Sequence, residues 1–286
     1  MKTLHKTAIS AVAAGLLSGL AYTPAFAADE PEASPITANV TLTNNYIYRG
    51  LTQTNSKPAI QGGFDYAHES GFYIGNWNSS ISWISDYFGP NGGAGGKGSA
   101  GTSVSAPIEM DFYGGFKKEF IGEGFASDIG VLQYYYPTSG LPNGSTNPNT
   151  TEAYVAQNFT FGPITGFAKF SYAMSTIFGT ANSRGSYYPD LTVNYDTGVW
   201  GLGLNGHIGY QYISGNTATA NLSNSTLYSY TDWKLGVTKD FGGGLSGAIA
   251  YTGTNAATYQ GVYGYATPQG KNQGKSAGLI SLTKTF

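Results

Sequence analysis

The sequence contains no cysteine, and only 10% of its residues are charged. Without cysteine there is no disulfide framework to hold the fold together. Average proteins carry about 25% charged residues, so a soluble domain this poor in surface charge would be unusual. The 14 basic and 16 acidic residues leave a net charge of −2 and form no basic patch, which excludes a nucleic-acid partner. A long apolar run is missing too. Beyond the first thirty residues nothing reaches the about 20 apolar residues that a membrane-crossing helix needs. If this chain meets a membrane, it does so as strands.

What is present points the same way. Glycine (42 residues) and tyrosine (23 residues) are abundant, as are Ser, Thr and Asn, and aromatics make up 15% of the chain. That content excludes a disordered chain. The start, MKTLHKTAISAVAAGLLSGLAYTPAFA, has Lys2 and Lys6 before an apolar stretch from Ala8 to Tyr22, and ends on the small-x-small site Ala25-Phe26-Ala27. This is the pattern of a secretory signal peptide, with cleavage expected after Ala27. Residues 28–286 then form a single domain. Loss of the two leader lysines leaves 12 basic against 16 acidic residues, a net −4.

Strict alternation dominates that domain, and a strand sends successive side chains to opposite faces. Ala38, Val40, Leu42, Tyr46 and Tyr48 share one face; Asn39, Thr41, Thr43, Asn45 and Arg49 share the other. Ile60, Phe64 and Tyr66 oppose Gln61 and Asp65. Tyr73, Trp77, Ile81 and Trp83 are read as apolar-face residues against Asn76, Asn78 and Ser80. Similar runs cover residues 108–117, 168–174, 187–195, 200–212 and 232–238. Residues 125–136, 152–161, 245–254 and 275–286 are strand-like with weaker phase. The total is twelve strands, and about 9–11 tilted residues suffice to cross a bilayer. Short connections (69–70, 119–124, 162–163, 197–198, 242–244) alternate with longer polar ones. Tyrosines cluster near the long loops, phenylalanines near the short turns. The expected fold is therefore all-β: a closed antiparallel transmembrane barrel of about 12 strands, with short periplasmic turns, long extracellular loops and two aromatic girdles.

In such a barrel lipid demands an apolar outer face, and the inward face takes the polar residues. The alternation sends inward the cations Arg49, Lys117, Lys169 and Lys234, the anions Asp65, Glu109, Asp111, Glu152, Asp190 and Asp232, and His207; Asp128 joins them if its strand has the matching phase. Rings of charge set ion preference in pores. The alternative is that these charges pair across strands and brace the wall. Eight strands fill with side chains and sixteen leave a channel, so twelve permit a slim passage for ions or small polar solutes. Phe286 ends the last strand in phase with Ile280 and Leu282 and resembles the terminal signal by which outer-membrane proteins are recognised by the barrel-assembly machinery; Lys284, which interrupts that phase, can snorkel at the rim.

The segment NVTLTNNYIYRGLTQTNSKPAIQGGFDYAHESGFYIGNW carries a Y-x-x-RG turn (Tyr46, Arg49, Gly50), a KPA-x-QGG stretch (Lys57 to Gly63) and an ESGFY hairpin. With VLQYYYP and YTDWKLGVTKDFGG it resembles the TorF-type porin family of proteobacteria. That resemblance implies an outer-membrane barrel and a channel, and supplies no catalytic residues. An outer-membrane enzyme of lipase or esterase type, or a ligand-binding barrel, is the competing reading. It requires a Ser/His/polar cluster. GKSAG (Gly274 to Gly278) matches G-x-S-x-G without the strand–turn–helix context. GGAGGKGS lacks the Ser or Thr after Lys97 that a phosphate loop needs. His68 reads as a solvated turn residue. No two histidines share a metal-ligand spacing, and no cofactor is expected.

Overall fold

The computed structural model describes residues 34–88, 104–218, 221–256, 258–267 and 270–286. The leader 1–27 and the GGAGGKGS run lie outside them. Twelve antiparallel strands close into a barrel. They are β1 (Ile36–Thr43), β2 (Ala59–Ala67), β3 (Phe72–Ser80), β4 (Ile108–Gly122), β5 (Phe125–Tyr135), β6 (Thr150–Phe161), β7 (Ile164–Ala173), β8 (Tyr187–Asp196), β9 (Leu202–Gln211), β10 (Tyr230–Gly242), β11 (Leu245–Thr254) and β12 (Ala277–Thr285). Each pairs with its sequence neighbours, and β1 pairs with β12 from Asn39↔Thr285 to Thr43↔Ser281. That last ladder removes the two edges, so every strand has a hydrogen-bonding partner on both sides.

Five connections at one end are short; at Gly242 to Gly244 all three residues have positive φ, which glycine adopts without Cβ strain. The other end carries six long connections, two of which hold the short helices α1 (Trp83–Phe88) and α2 (Asn224–Tyr228). Both described ends of the chain lie at the short-turn end.

Leu42, Ile60, Ile74, Ile129, Leu235, Ile249 and Ile280 stand exposed on the outer wall. Among the described residues no charged side chain sits mid-strand on that wall, where one would cost about 2–4 kcal/mol. The outward lysines are at the short-turn rim, and two of them reach back to carbonyls. Lys284 Nζ donates to Gly243 O at 2.6 Å, and Lys239 Nζ to Trp200 O.

Four expectations need correction. β3 has the opposite phase: Phe72 and Ile74 face out, while Tyr73 and Trp77 are buried inside. Asn76 and Asn78 share the outward face with Phe72 and Ile74, so the polar residues drew the phase the wrong way. β1 stops at Thr43, and Tyr46 and Tyr48 belong to an inward-folded loop rather than to the outer face. Ile81 and Trp83 lie beyond β3, Trp83 opening α1. Among the aromatics expected in the girdles, Tyr134, Tyr136, Tyr188, Tyr230 and Phe167 also point inward and are buried. The outer girdles retain Tyr135 and Tyr210 at the long-loop end and Phe64, Phe72, Phe120, Phe161, Phe241 and Phe286 at the short-turn end. GKSAG straddles the start of β12, with Ser276 in the preceding loop and no helix after it.

Candidate functional site

The loop between β1 and β2, residues 44–58, turns into the barrel instead of away from it. It contains a two-residue hairpin in which Ile47–Tyr48 pairs with Leu51–Thr52. Arg49 (φ 45) and Gly50 (φ 75) form its turn, and two successive positive φ values define the type I′ geometry that matches strand twist. Asn45 Oδ1 accepts from Thr52 Oγ1 at 2.6 Å and stiffens the base of the hairpin. Tyr46 packs edge-on against Trp77 at 5.5 Å and donates to Glu109 Oε1 at 2.7 Å.

Arg49 at the tip spans the barrel. Its two terminal nitrogens donate to the two carboxylate oxygens of Glu152 on β6, at 3.0 and 2.7 Å. Nη1 also donates to Gln211 Oε1 on β9 at 2.6 Å. The guanidinium lies 4.2 Å from the Tyr188 ring centroid on β8 and 5.0 Å from that of Tyr48. The Arg49 carbonyl accepts from Tyr230 Oη on β10 at 2.8 Å. Four strands therefore hold one loop residue. Burial opposes its charge, but the Glu152 carboxylate outweighs that and holds Arg49 well above its ordinary value. Sequence alternation places Arg49 on a strand; the structure places it on this loop, and still inside.

The remaining inward charges fall into groups. Glu109 and Asp111, two residues apart on β4, are fully buried; Glu109 accepts from Tyr46 Oη, while the Asp111 carboxylate has no hydrogen-bond partner among the described residues. Below Arg49, Asp190, His207 and Asp232 come together. His207 Nε2 lies 3.1 Å from Asp232 Oδ1, and Tyr188 Oη donates to Asp232 Oδ2 at 2.8 Å. Lys169 is in register with Asp190, and Lys234 with His207. Nearer the short-turn end Lys117 is in register with Asp128, and Asp65 accepts from Tyr113 Oη at 2.5 Å.

Sequence reading missed the tyrosines. Tyr46, Tyr73, Tyr113, Tyr134 and Tyr188 each donate to an inward carboxylate. A usable signal existed: in Asp111/Tyr113, Glu152/Tyr154, Tyr188/Asp190 and Tyr230/Asp232, tyrosine and acid stand two apart and so share a face.

One water-reachable space ends at Arg49, and a second lies in the short-turn half of the lumen. From the long-loop end a cavity of 310 Å³ reaches down to Arg49 and Gln211. From the short-turn end the inward residues Lys117, Asn158, Lys169, Asn194, Asn205 and His207 are only half-buried. Between the two spaces the barrel is packed: Tyr46, Trp77, Ile84, Tyr113, Tyr134 and Tyr154 form a buried cluster inside the wall. The interior is thus polar in its short-turn half and tyrosine-rich in its long-loop half, not uniformly hydrophilic.

His207 Nδ1 also lies 2.9 Å from Thr192 Oγ1, so Thr192, His207 and Asp232 form a hydroxyl–imidazole–carboxylate line. Thr192 sits mid-strand in β8, paired to both β7 and β9. Its neighbouring backbone donors are committed to the ladders, which leaves no oxyanion hole there. His68 is an exposed turn residue bonded to Ser70. Among the described residues no cluster of His, Cys, Asp or Glu has metal-binding geometry.

These features define a class: a closed twelve-stranded antiparallel barrel with an inward-folded loop across its lumen. Within that class the chain belongs to the Gcw_chp family, described as bacterial protein of unknown function, whose family model matches residues 27–286. No curated protein matches the sequence. Among solved structures it is similar to the NanC porin, with a TM-score of 0.51 at 9% identity over 88% of this chain and 98% of that one. It is also similar to the KdgM porin, with a TM-score of 0.49 at 6% identity over the same shares.

Proposed function

We propose that this protein is a porin-like channel of the bacterial outer membrane, passing ions or small polar solutes by diffusion, with loop 44–58 as its constriction. The observation that carries this reading is the position of Arg49, between a cavity open to the long-loop end and a polar lumen reached from the short-turn end. The apolar outer wall, the barrel shape shared with the NanC porin and the resemblance to TorF-type porins support it.

In this reading the signal peptide exports the chain, the assembly machinery recognises Phe286, and the long loops face outward. The pore wall comprises Arg49, Asp65, Glu109, Asp111, Lys117, Glu152, Lys169, Asp190, His207, Asp232 and Lys234. Carboxylates outnumber cations among them, which favours cations weakly. The Thr192–His207–Asp232 line is then part of the wall, not a nucleophile with its base. Planar-bilayer recording tests the proposal: folded protein should give discrete conductance steps. Silence from both the parent and an Arg49 variant, with the barrel intact in each, overturns it.

A further inference from the structure

The cavity above Arg49 has a chemistry unlike that of the lumen below. Arg49 is the one charged side chain among its described lining residues, and Glu152 already neutralises it. No carboxylate is among its described lining residues. Aromatic rings dominate instead, built as edge-to-face pairs: Trp83 on Tyr136 at 5.6 Å, and Tyr265 on both Tyr228 at 5.7 Å and Tyr230 at 5.3 Å. These pairs come from four different long connections and from β10, so the rings converge from several sides. Amides are interspersed: Gln53, Gln211, Asn224 and Gln273. Two of the lining side chains, Trp83 and Asn224, carry a buried polar atom, Nε1 and Oδ1, with no hydrogen-bond partner among the described residues. Buried polar atoms are rarely left so, and here one is a donor and the other an acceptor. The volume, 310 Å³, is at the small end of ligand sites, which run from about 300 to 1,000 Å³.

A charged solute entering here loses water and meets no opposite charge, which is costly. An uncharged ring with apolar faces and hydroxyl edges loses little: its faces lie on aromatic rings and its hydroxyls meet amides. We infer that this cavity is a binding vestibule for an uncharged saccharide of one or two rings, held before it passes the Arg49 constriction. The inference rests on the channel reading for its role and on the cavity alone for its binding.

Calorimetric titration of the folded protein in detergent tests it with three probes of one ring shape: glucose, glucuronate and glucosamine in its ammonium form. Glucose should bind about tenfold more tightly than either charged analogue. Trp83→Leu and Tyr265→Leu, which keep apolar bulk but remove the ring, should each weaken glucose binding by about threefold to tenfold. Equal or tighter binding of glucuronate or glucosamine overturns the inference, as does unchanged glucose binding by both variants. Protein that conducts ions but binds none of the three loses the vestibule and keeps the channel. Protein that binds glucose selectively without conducting keeps the vestibule and loses the channel.

Discussion

The Arg49 latch gives the sharpest prediction. Arg49→Met keeps most of the side chain's length and removes the charge and all its donors. The closed arrangement then contains Glu152, 1% exposed, with its bidentate partner gone. Breaking a buried ion pair from one side costs about 3–5 kcal/mol, because the surviving charge stays buried and uncompensated. When the loop swings out, Glu152 gains water, so the penalty falls on the closed state alone. At 1.4 kcal/mol per tenfold, the closed-to-open ratio drops by about a hundredfold to several thousandfold. Planar-bilayer recording should show a large rise in open probability, with barrel integrity checked by its heat-modifiable gel shift. The double variant Arg49→Met/Glu152→Gln removes the charge that Met left stranded, and its open probability should fall back toward the parent's. An Arg49→Met channel that closes like the parent refutes the latch. A double variant as open as the single one refutes its electrostatic basis.

Gly50 offers a charge-neutral test of the same closure. A Cβ there would clash with Thr254 Cγ2 and lie 2.7 Å from Asp232 Cβ at a φ of +75, so Gly50→Val should undock the loop and raise conductance without removing any charged residue. Tyr113→Phe leaves Asp65 without its hydroxyl donor and should lower unfolding stability by about 1–3 kcal/mol in denaturant titration, with conductance steps preserved. Under a salt gradient the reversal potential should report a cation preference that Asp190→Asn reduces. Deletion of Phe286 should lower the amount of heat-modifiable barrel recovered from outer membranes, and mass spectrometry of the exported protein should find Ala28 at its start.

Legibility followed polarity contrast. Where one face of a strand was apolar and the other polar, as in Leu235 and Val237 against Asp232, Lys234 and Thr238, phase could be read from the sequence and agrees with burial. Where apolar and polar residues share each face, as in β3 with Phe72, Ile74, Asn76 and Asn78 outward against Tyr73, Trp77 and Ser79 inward, the phase was read the wrong way round. The alternation of long and short connections was visible because turn length needs no phase. Arg49 was read as inward for an incomplete reason. The apolar spacing of Tyr46 and Tyr48 continues the β1 pattern, so the period-2 signal runs past Thr43 although the backbone leaves the sheet. Arg49-Gly50 was itself a turn signal, overridden by that spacing. The loop's inward fold depends on contacts between residues 63 to 181 positions apart, such as Tyr46 with Glu109 and Tyr230 with Arg49, and local patterning does not encode these.

The same contacts explain why the inside of this barrel tolerates so many rings. A lumen open to water would waste an aromatic face, and a lumen filled only with carboxylates would repel itself. Tyrosine meets both constraints at once, with an apolar body that packs in a plugged interior and a hydroxyl tip that reaches a charge. Tyr73 donates to Asp128 and bonds Tyr154, Tyr134 bonds Tyr48 and donates to Glu152, and Tyr188 stacks under Arg49 while donating to Asp232. Each of these rings ties the wall to the loop or to an opposing strand through one polar atom. Such a network braces the loop against the wall through tyrosine hydroxyls and the Arg49–Glu152 pair. On the channel reading proposed above, Arg49 at the loop tip is the contact whose removal should open the passage with the least change to the wall.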